Sequence, residues 1–233
     1  MRIGGLQAIT LLDFPGKVAC TIFTKACNFR CHFCHNPELV LPEMLGTTPD
    51  LSEEEFWKFL DDRQDFLDAV CISGGEPTMQ ADLPDFISRL KARGLAVKLD
   101  TNGTNVAVLK GLLDANLLDY VAMDIKQLPE KYQQVVNAPV DVEQIKASVD
   151  LLRSSNIPYE FRTTVLGNLM TEEDILGIAE WLAGSRAYHL QHARTNRPTL
   201  NSDYHLRPNE LTLSQLKDIH QKIADKFEIC TVR

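Results

Sequence analysis

Short apolar runs alternate with amphipathic stretches along most of this 233-residue chain. VACTIF (18–23) reads as a buried strand that runs into a polar, cysteine-bearing loop. In the following PDLSEEEFWKFLDDRQDFL, Ser52 with Glu55 at its third following position is a capping box that starts a helix. DAVCISGGEP (68–77) is a strand breaking into a glycine turn, and DLPDFISRLKARG is a helix that Gly94 can end. AVKLDTNG (96–103) is a strand and turn, NVAVLKGLLDAN a helix, and LLDYVAMDIK (117–126) a strand. DVEQIKASVDLLRSSN (141–156) places Val142, Ile145, Val149 and Leu152 at helical spacing, and IPYEFRTTV (157–165) returns to strand. Thr171 caps EEDILGIAEWLAG, RAYHLQH (186–192) is the sixth strand, and LTLSQLKDIHQKIADKF (211–227) is a final helix.

Six strands alternating with helices predict an α/β fold with parallel pairing through crossover helices. Eight repeats are not filled, so the expectation is an incomplete (β/α)6 TIM-like barrel rather than a closed barrel or a doubly wound sheet; local periodicity is common to all three. No linker or repeat divides the chain, which is expected to be one domain over 1–233 with a C-terminal helical extension from about 205. The cysteine loop, GGEP, DTNG and the polar end of VAMDIK all fall at carboxyl ends of strands, where such folds gather ligands.

Composition narrows the function classes. With no signal-like start and no apolar run of about 18 residues, the expectation is a cytoplasmic protein with no membrane partner, whose thiols stay reduced. A formal charge of -8 and a pI near 5.3 argue against a nucleic-acid partner. Six cysteines are too few for a disulfide scaffold. Three cluster in CNFRCHFCHNP as Cys27, Cys31 and Cys34; Cys20 and Cys71 read as core, and Cys230 sits near the end of the chain, where mobility is common.

Two metal readings fit those three thiols. Structural zinc takes four protein ligands, the fourth from His32 or His35, whereas a cubane iron–sulfur cluster takes three thiolates and leaves one iron open. Gly74 and Gly75 allow either a tight turn or a close backbone approach to a ligand, with Glu76 beside it. DTNG has the same two readings. Arg162, inside a half-buried strand, needs an acceptor, either a core carboxylate or a ligand.

Taken together, CNFRCHFCHNP with Phe33 before the third cysteine, and SGGEPTMQ one α/β unit later, resemble the radical S-adenosylmethionine (SAM) superfamily. KLDTNG, AMDIK and the opening GGLQAITLLDFPGK narrow the resemblance to activating enzymes of glycyl-radical proteins, most of all those of anaerobic ribonucleoside-triphosphate reductase. The resemblance spans about residues 3 to 192.

It implies an enzyme in which Cys27, Cys31 and Cys34 ligate a [4Fe-4S] cluster whose fourth iron is chelated by S-adenosyl-L-methionine. Reductive cleavage then yields methionine and a 5′-deoxyadenosyl radical. Phe33 would lie near the adenine, and the Gly74–Gly75–Glu76 turn would receive the methionine amino group. Asp100 and Asn102 would orient the ribose or methionine side; Asp124, Lys126 and Arg162 would add polar contacts, and His192 stands where relatives place a cofactor-contacting histidine. Implied partners are a glycyl radical enzyme polypeptide, anaerobic ribonucleotide reductase foremost, and an electron donor such as flavodoxin or ferredoxin. Residues 35 to 70 contain no cysteine, so one cluster is expected. Two other readings stand beside this one: a small-molecule reaction like that of the 7-carboxy-7-deazaguanine synthases, and a non-catalytic cluster-containing interaction protein.

Overall fold

The computed structural model describes residues 1–63, 65–194, 198–201, 203 and 210–233. Its strands are β1 (Ile3–Thr10), β2 (Ala19–Thr24), β3 (Ala69–Gly74), β4 (Ala96–Thr101), β5 (Tyr120–Asp124), β6 (Tyr159–Val165), β7 (Ala187–His192) and β8 (Ile229–Val232). They form one sheet in sequential order, antiparallel between β1 and β2 and parallel from β2 to β8. Sequential order is what separates this sheet from a doubly wound one. Right-handed crossovers that never reverse direction put the helices on one face and curl the sheet. Neither edge strand pairs with the other among the described residues, so the barrel is open.

The six expected strands are β2 to β7; the two edge strands are additions to that expectation. The final helix, Leu213–Ile223, is a further crossover delivering β8, and Cys230 is paired there opposite Tyr188. Part of the segment between β7 and this helix, including the expected start of the extension, lies outside the described residues. No helix among those described is long and apolar enough to cross a membrane.

Local chemistry accounts for the helices. Ser52 and Glu55 form the capping box at the start of Glu53–Asp61, and Thr171 with Asp174 does the same for Glu172–Trp181. Helix Leu83–Lys91 is followed by Gly94 at φ +79°, the left-handed turn glycine adopts without a Cβ clash. In helix Val142–Arg153, Ile145, Val149 and Leu152 are buried, while Val142 at its first turn is half-buried.

The two faces of the sheet differ chemically. Outward positions such as Ile22, Ile72, Leu99, Val121, Phe161 and Leu190 are fully buried under the helices, each contributing about 2 kcal/mol. Alternate residues carry Lys98, Asp100, Asp124, Glu160, Arg162 and His189, so the barrel interior is polar. At the amino end of the strands a separate small cluster of Phe14, Ala19, Ala69 and Cys71 packs together, with Phe14 against Tyr120 at 5.8 Å. Cys20 and Cys71 are both core residues, as expected, on opposite faces of the sheet.

Candidate active site

Carboxyl ends of β2 to β6 surround one cleft, open to solvent. Cys27, Cys31 and Cys34 line it together with Phe33, Gly74, Gly75, Glu76, Asp100, Asn102, Asp124, Lys126 and Arg162. Consecutive parallel crossovers place their loops on the same edge, which is why residues 135 positions apart meet here.

The cysteine loop leaves β2 and turns at once, with the Cys34 amide donating to the Cys31 carbonyl at 3.0 Å. Burial pushes the Cys27 thiol up to about 12 and the Cys31 thiol to about 11, the latter against the field of Lys126; burial also raises Cys34. Such thiols are protonated until a metal displaces the proton, as ligation requires. The donor set suits a cubane better than zinc. His32 and His35 are not among the lining residues: His32 Nδ1 lies 3.2 Å from Asn201 Nδ2, and His35 Nδ1 lies 3.1 Å from the Pro198 carbonyl. Among the described residues no three His, Cys, Asp or Glu are gathered around one ion position. Three thiols spaced around a cleft, with no fourth protein donor gathered beside them among the described residues, match three corners of a cluster and one open iron.

The glycine turn is built against the cysteine loop. A Cβ on Gly74, at φ +112°, would stand 2.3 Å from the Thr24 amide nitrogen, and one on Gly75 would stand 2.0 Å from the Ala26 carbonyl oxygen. The Gly75 and Glu76 amides donate to Thr24 and Ala26 carbonyls at 2.8 Å. Those donors are thus used, and what this turn offers an ammonium is carbonyl oxygen. Glu76 does not present its charge to the cleft as the sequence suggested. Only 1% exposed, it accepts from the Thr78 amide (3.1 Å), Thr78 Oγ1 (2.6 Å), Thr101 Oγ1 (2.7 Å) and the Asn102 amide (2.7 Å). Burial pushes its carboxyl up, against these four donors.

One wall of the cleft is a charge network. Arg162 Nε lies 2.9 Å from Asp124 Oδ1 and Nη1 lies 3.3 Å from Asp100 Oδ2, so the acceptors this arginine needed are two carboxylates of the site. Lys126 donates to Asp124 at 2.9 Å and stands 5.7 Å over the Phe33 ring. Burial acts most strongly on Asp124 and would raise it, but Arg162 and Lys126 hold it well below the usual carboxylate range. Lys98, almost fully buried, pairs with Asp100, and Ser73 Oγ donates to Asp100 at 3.1 Å. Asn102 bonds Asn28 across to the cysteine loop at 2.8 Å.

His192 is the exception among the predicted residues. It is not among those lining the cleft; as the last residue of β7 it turns Nε2 toward the Leu211 carbonyl, 2.9 Å away. Sequence reasoning missed the lining residues Phe29, Val40, Ser73 and Thr101, and Lys98, which supports Asp100. The signal for Lys98 was available, a charged residue two positions before Asp100 inside a buried strand. Pro198–Asn201 was missed too: Leu200 donates to the Cys34 carbonyl (2.7 Å) and Asn201 to that of His32 (3.1 Å).

Comparison with known proteins places the chain in a family. Residues 21–182 match the radical SAM superfamily. A Methanocaldococcus jannaschii protein provisionally named a glycyl-radical enzyme activating enzyme is 35% identical, over 99% of this chain and 96% of its own. The pyruvate formate-lyase-activating enzyme of Listeria monocytogenes is 30% identical over 60% of each chain. SuiB from Streptococcus suis superposes with a TM-score of 0.67 at 13% identity; it covers 91% of this chain, which spans about half (48%) of SuiB. The structure titled anSMEcpe with bound AdoMet has a TM-score of 0.65 at 14% identity, over 89% of this chain and 61% of its own. The chain therefore belongs to the radical SAM superfamily, whose enzymes use a [4Fe-4S] cluster and S-adenosylmethionine, and within it to the activating enzymes of glycyl-radical enzymes.

Proposed function

We propose that this enzyme creates a glycyl radical on anaerobic ribonucleoside-triphosphate reductase. The observation that carries the reading is the convergence of three cysteines, the GGE turn and the Asp100–Arg162–Asp124 network on one open cleft. The opening GGLQAITLLDFPGK favours the reductase among glycyl-radical partners, and the open mouth suits a polypeptide substrate. When bound, a reduced cluster and S-adenosylmethionine would supply the hydrogen-abstracting chemistry that formation of a glycyl radical needs.

Cys27, Cys31 and Cys34 hold the cluster. Carbonyls of the Gly74–Gly75 turn receive the methionine ammonium, while Lys126 and Arg162 offer the positive charge that its carboxylate needs. Asp100 and Asn102 orient the ribose side, and Phe33 packs near the adenine. A flavodoxin or ferredoxin supplies the electron, in a cytoplasm kept free of oxygen.

The test mixes reduced, reconstituted enzyme and S-adenosylmethionine with the reductase from the same genome and records electron paramagnetic resonance. A glycine-centred doublet that vanishes when the reductase's radical-site glycine becomes alanine supports the proposal. Cofactor cleavage without a reductase radical overturns it. A doublet on another glycyl-radical enzyme alone would keep the activity and move the partner.

A further inference from the structure

Two residues between β2 and Cys27 meet unusual structural demands. Lys25 is fully buried, and its Nζ lies 2.7 Å from the Leu45 carbonyl, 2.5 Å from the Thr48 carbonyl and 2.5 Å from Asp50 Oδ1. All three acceptors come after the cysteine loop, so one ammonium ties the loop's entry to the segment that follows its exit. A buried ammonium is tolerated only when saturated in this way. Its stem runs past Gly4, where a Cβ would stand 2.7 Å from Lys25 Cγ and 2.4 Å from Leu39 Cδ2.

Ala26, the next residue, has φ +75°, in the left-handed region that a Cβ disfavours. Its amide donates to the Leu39 carbonyl and its own carbonyl accepts the Glu76 amide, both at 2.8 Å. The Ala26 carbonyl is therefore the junction between the cysteine loop and the glycine turn. Relaxation of Ala26 to negative φ would swing both groups away and separate the two halves of the site. Strained backbone persists only where its surroundings over-determine it.

We propose that Lys25 is a positioning residue: its buried ammonium holds Ala26 in the left-handed conformation and so sets Cys27 and the Gly74–Glu76 turn in register for the cluster. This rests on the assignment of Cys27, Cys31 and Cys34 as cluster ligands. Residues one step removed from a metal site commonly change its affinity by about 10- to 100-fold.

Four proteins test it: wild type, Lys25→Met, Ala26→Gly and the double variant, each reconstituted with iron and sulfide without oxygen. Lys25→Met should lose iron to a chelator about tenfold faster than wild type and broaden the resonance signal of the reduced cluster. Glycine adopts positive φ without the Cβ penalty, so the double variant should recover most of the wild-type retention. A lysine that merely stabilised the fold would not be rescued by a change at Ala26. Wild-type retention in Lys25→Met, or a double variant as leaky as Lys25→Met, overturns the proposal.

Amide exchange in the metal-free proteins keeps the two assignments separate. The Ala26 and Glu76 amides should exchange faster in Lys25→Met and slow again in the double variant; unchanged exchange defeats the clamp. Failure of wild type to take up iron would instead defeat the ligand assignment, with the clamp still judged by exchange. Should Lys25→Met not fold, Asp50→Asn leaves the lysine stem in place and is measured in the same way.

Discussion

Glu76 Oε2 accepts the Asn102 amide at 2.7 Å, which fastens the turn after β3 to the turn after β4. Both turns line the cleft, so one buried carboxylate fixes the spacing of the groups that would meet the methionine and ribose ends of the cofactor. Glu76→Gln introduces an amide donor where all four neighbours already donate. The expected cost is about 1–3 kcal/mol in urea unfolding, with affinity for S-adenosylmethionine down at least about tenfold by equilibrium dialysis. Unchanged affinity in a folded variant would contradict this role.

Gly75→Ala is expected to damage the site more than its small size implies. The added Cβ would stand 2.0 Å from the Ala26 carbonyl, which belongs to backbone and has no rotamer to yield. The glycine turn must then back away from the cysteine loop, and S-adenosylmethionine cleavage should fall about 100-fold, the usual consequence of a displacement near 1 Å. Gly111→Ala is the control. That position is in helix Val106–Asp114 with open space around it, and alanine there should raise stability by about 0.5–1 kcal/mol.

Cys31→Ala should abolish cluster binding and not merely slow turnover. Wild type is expected to bind about four irons and four sulfides per chain, and the variant, with two thiolates left, close to none. Iron and sulfide assays after anaerobic desalting decide it. Stoichiometric zinc in wild type, without iron, would return the loop to a structural role.

Glu160 predicts a pH dependence. It accepts from both Arg233 guanidinium nitrogens (3.2 and 3.1 Å) and Tyr120 Oη (3.1 Å), and His189 Nε2 lies 3.2 Å away. Burial, the largest influence, would raise its carboxyl, but His189, Arg233 and Arg162 outweigh it and hold the group well below the usual range. A depressed carboxylate contributes stability that is present above the unfolded value of about 4.3 and is lost as pH falls toward the folded one. Glu160→Gln should cost about 2 kcal/mol at pH 7, and its deficit relative to wild type should shrink below about pH 4.3. Urea titrations from pH 7 to pH 3 measure this; a constant deficit would refute it.

The six inner strands and their helices were legible because each combines a short apolar run with local capping or turn chemistry, as at Ser52, Gly94 and Thr171. The edge strands lacked such marks. IGGLQAIT carries two adjacent glycines, and ICTV is four residues that are strand because Tyr188 and Leu190 of β7 pair with them. Motif residues of the site were legible for the same local reason, since each ends a strand. What stayed hidden was orientation: Glu76 has the side chain expected beside a ligand yet spends it on backbone and hydroxyl groups. Similarly, His192 sits at the right strand end but bonds to a distant carbonyl.

The way β1 pairs has a consequence for association. Its register with β2 breaks between Ile3 and Gly5 and again between Gln7 and Thr10. Irregularities of this kind twist a strand and spoil it as a template for another chain. An edge eight residues long, with Ile9 largely exposed, would otherwise invite strand-to-strand polymerisation. The uneven pairing of Ile3–Thr10 thus makes this edge a poor template, so the sheet is built to end within one molecule.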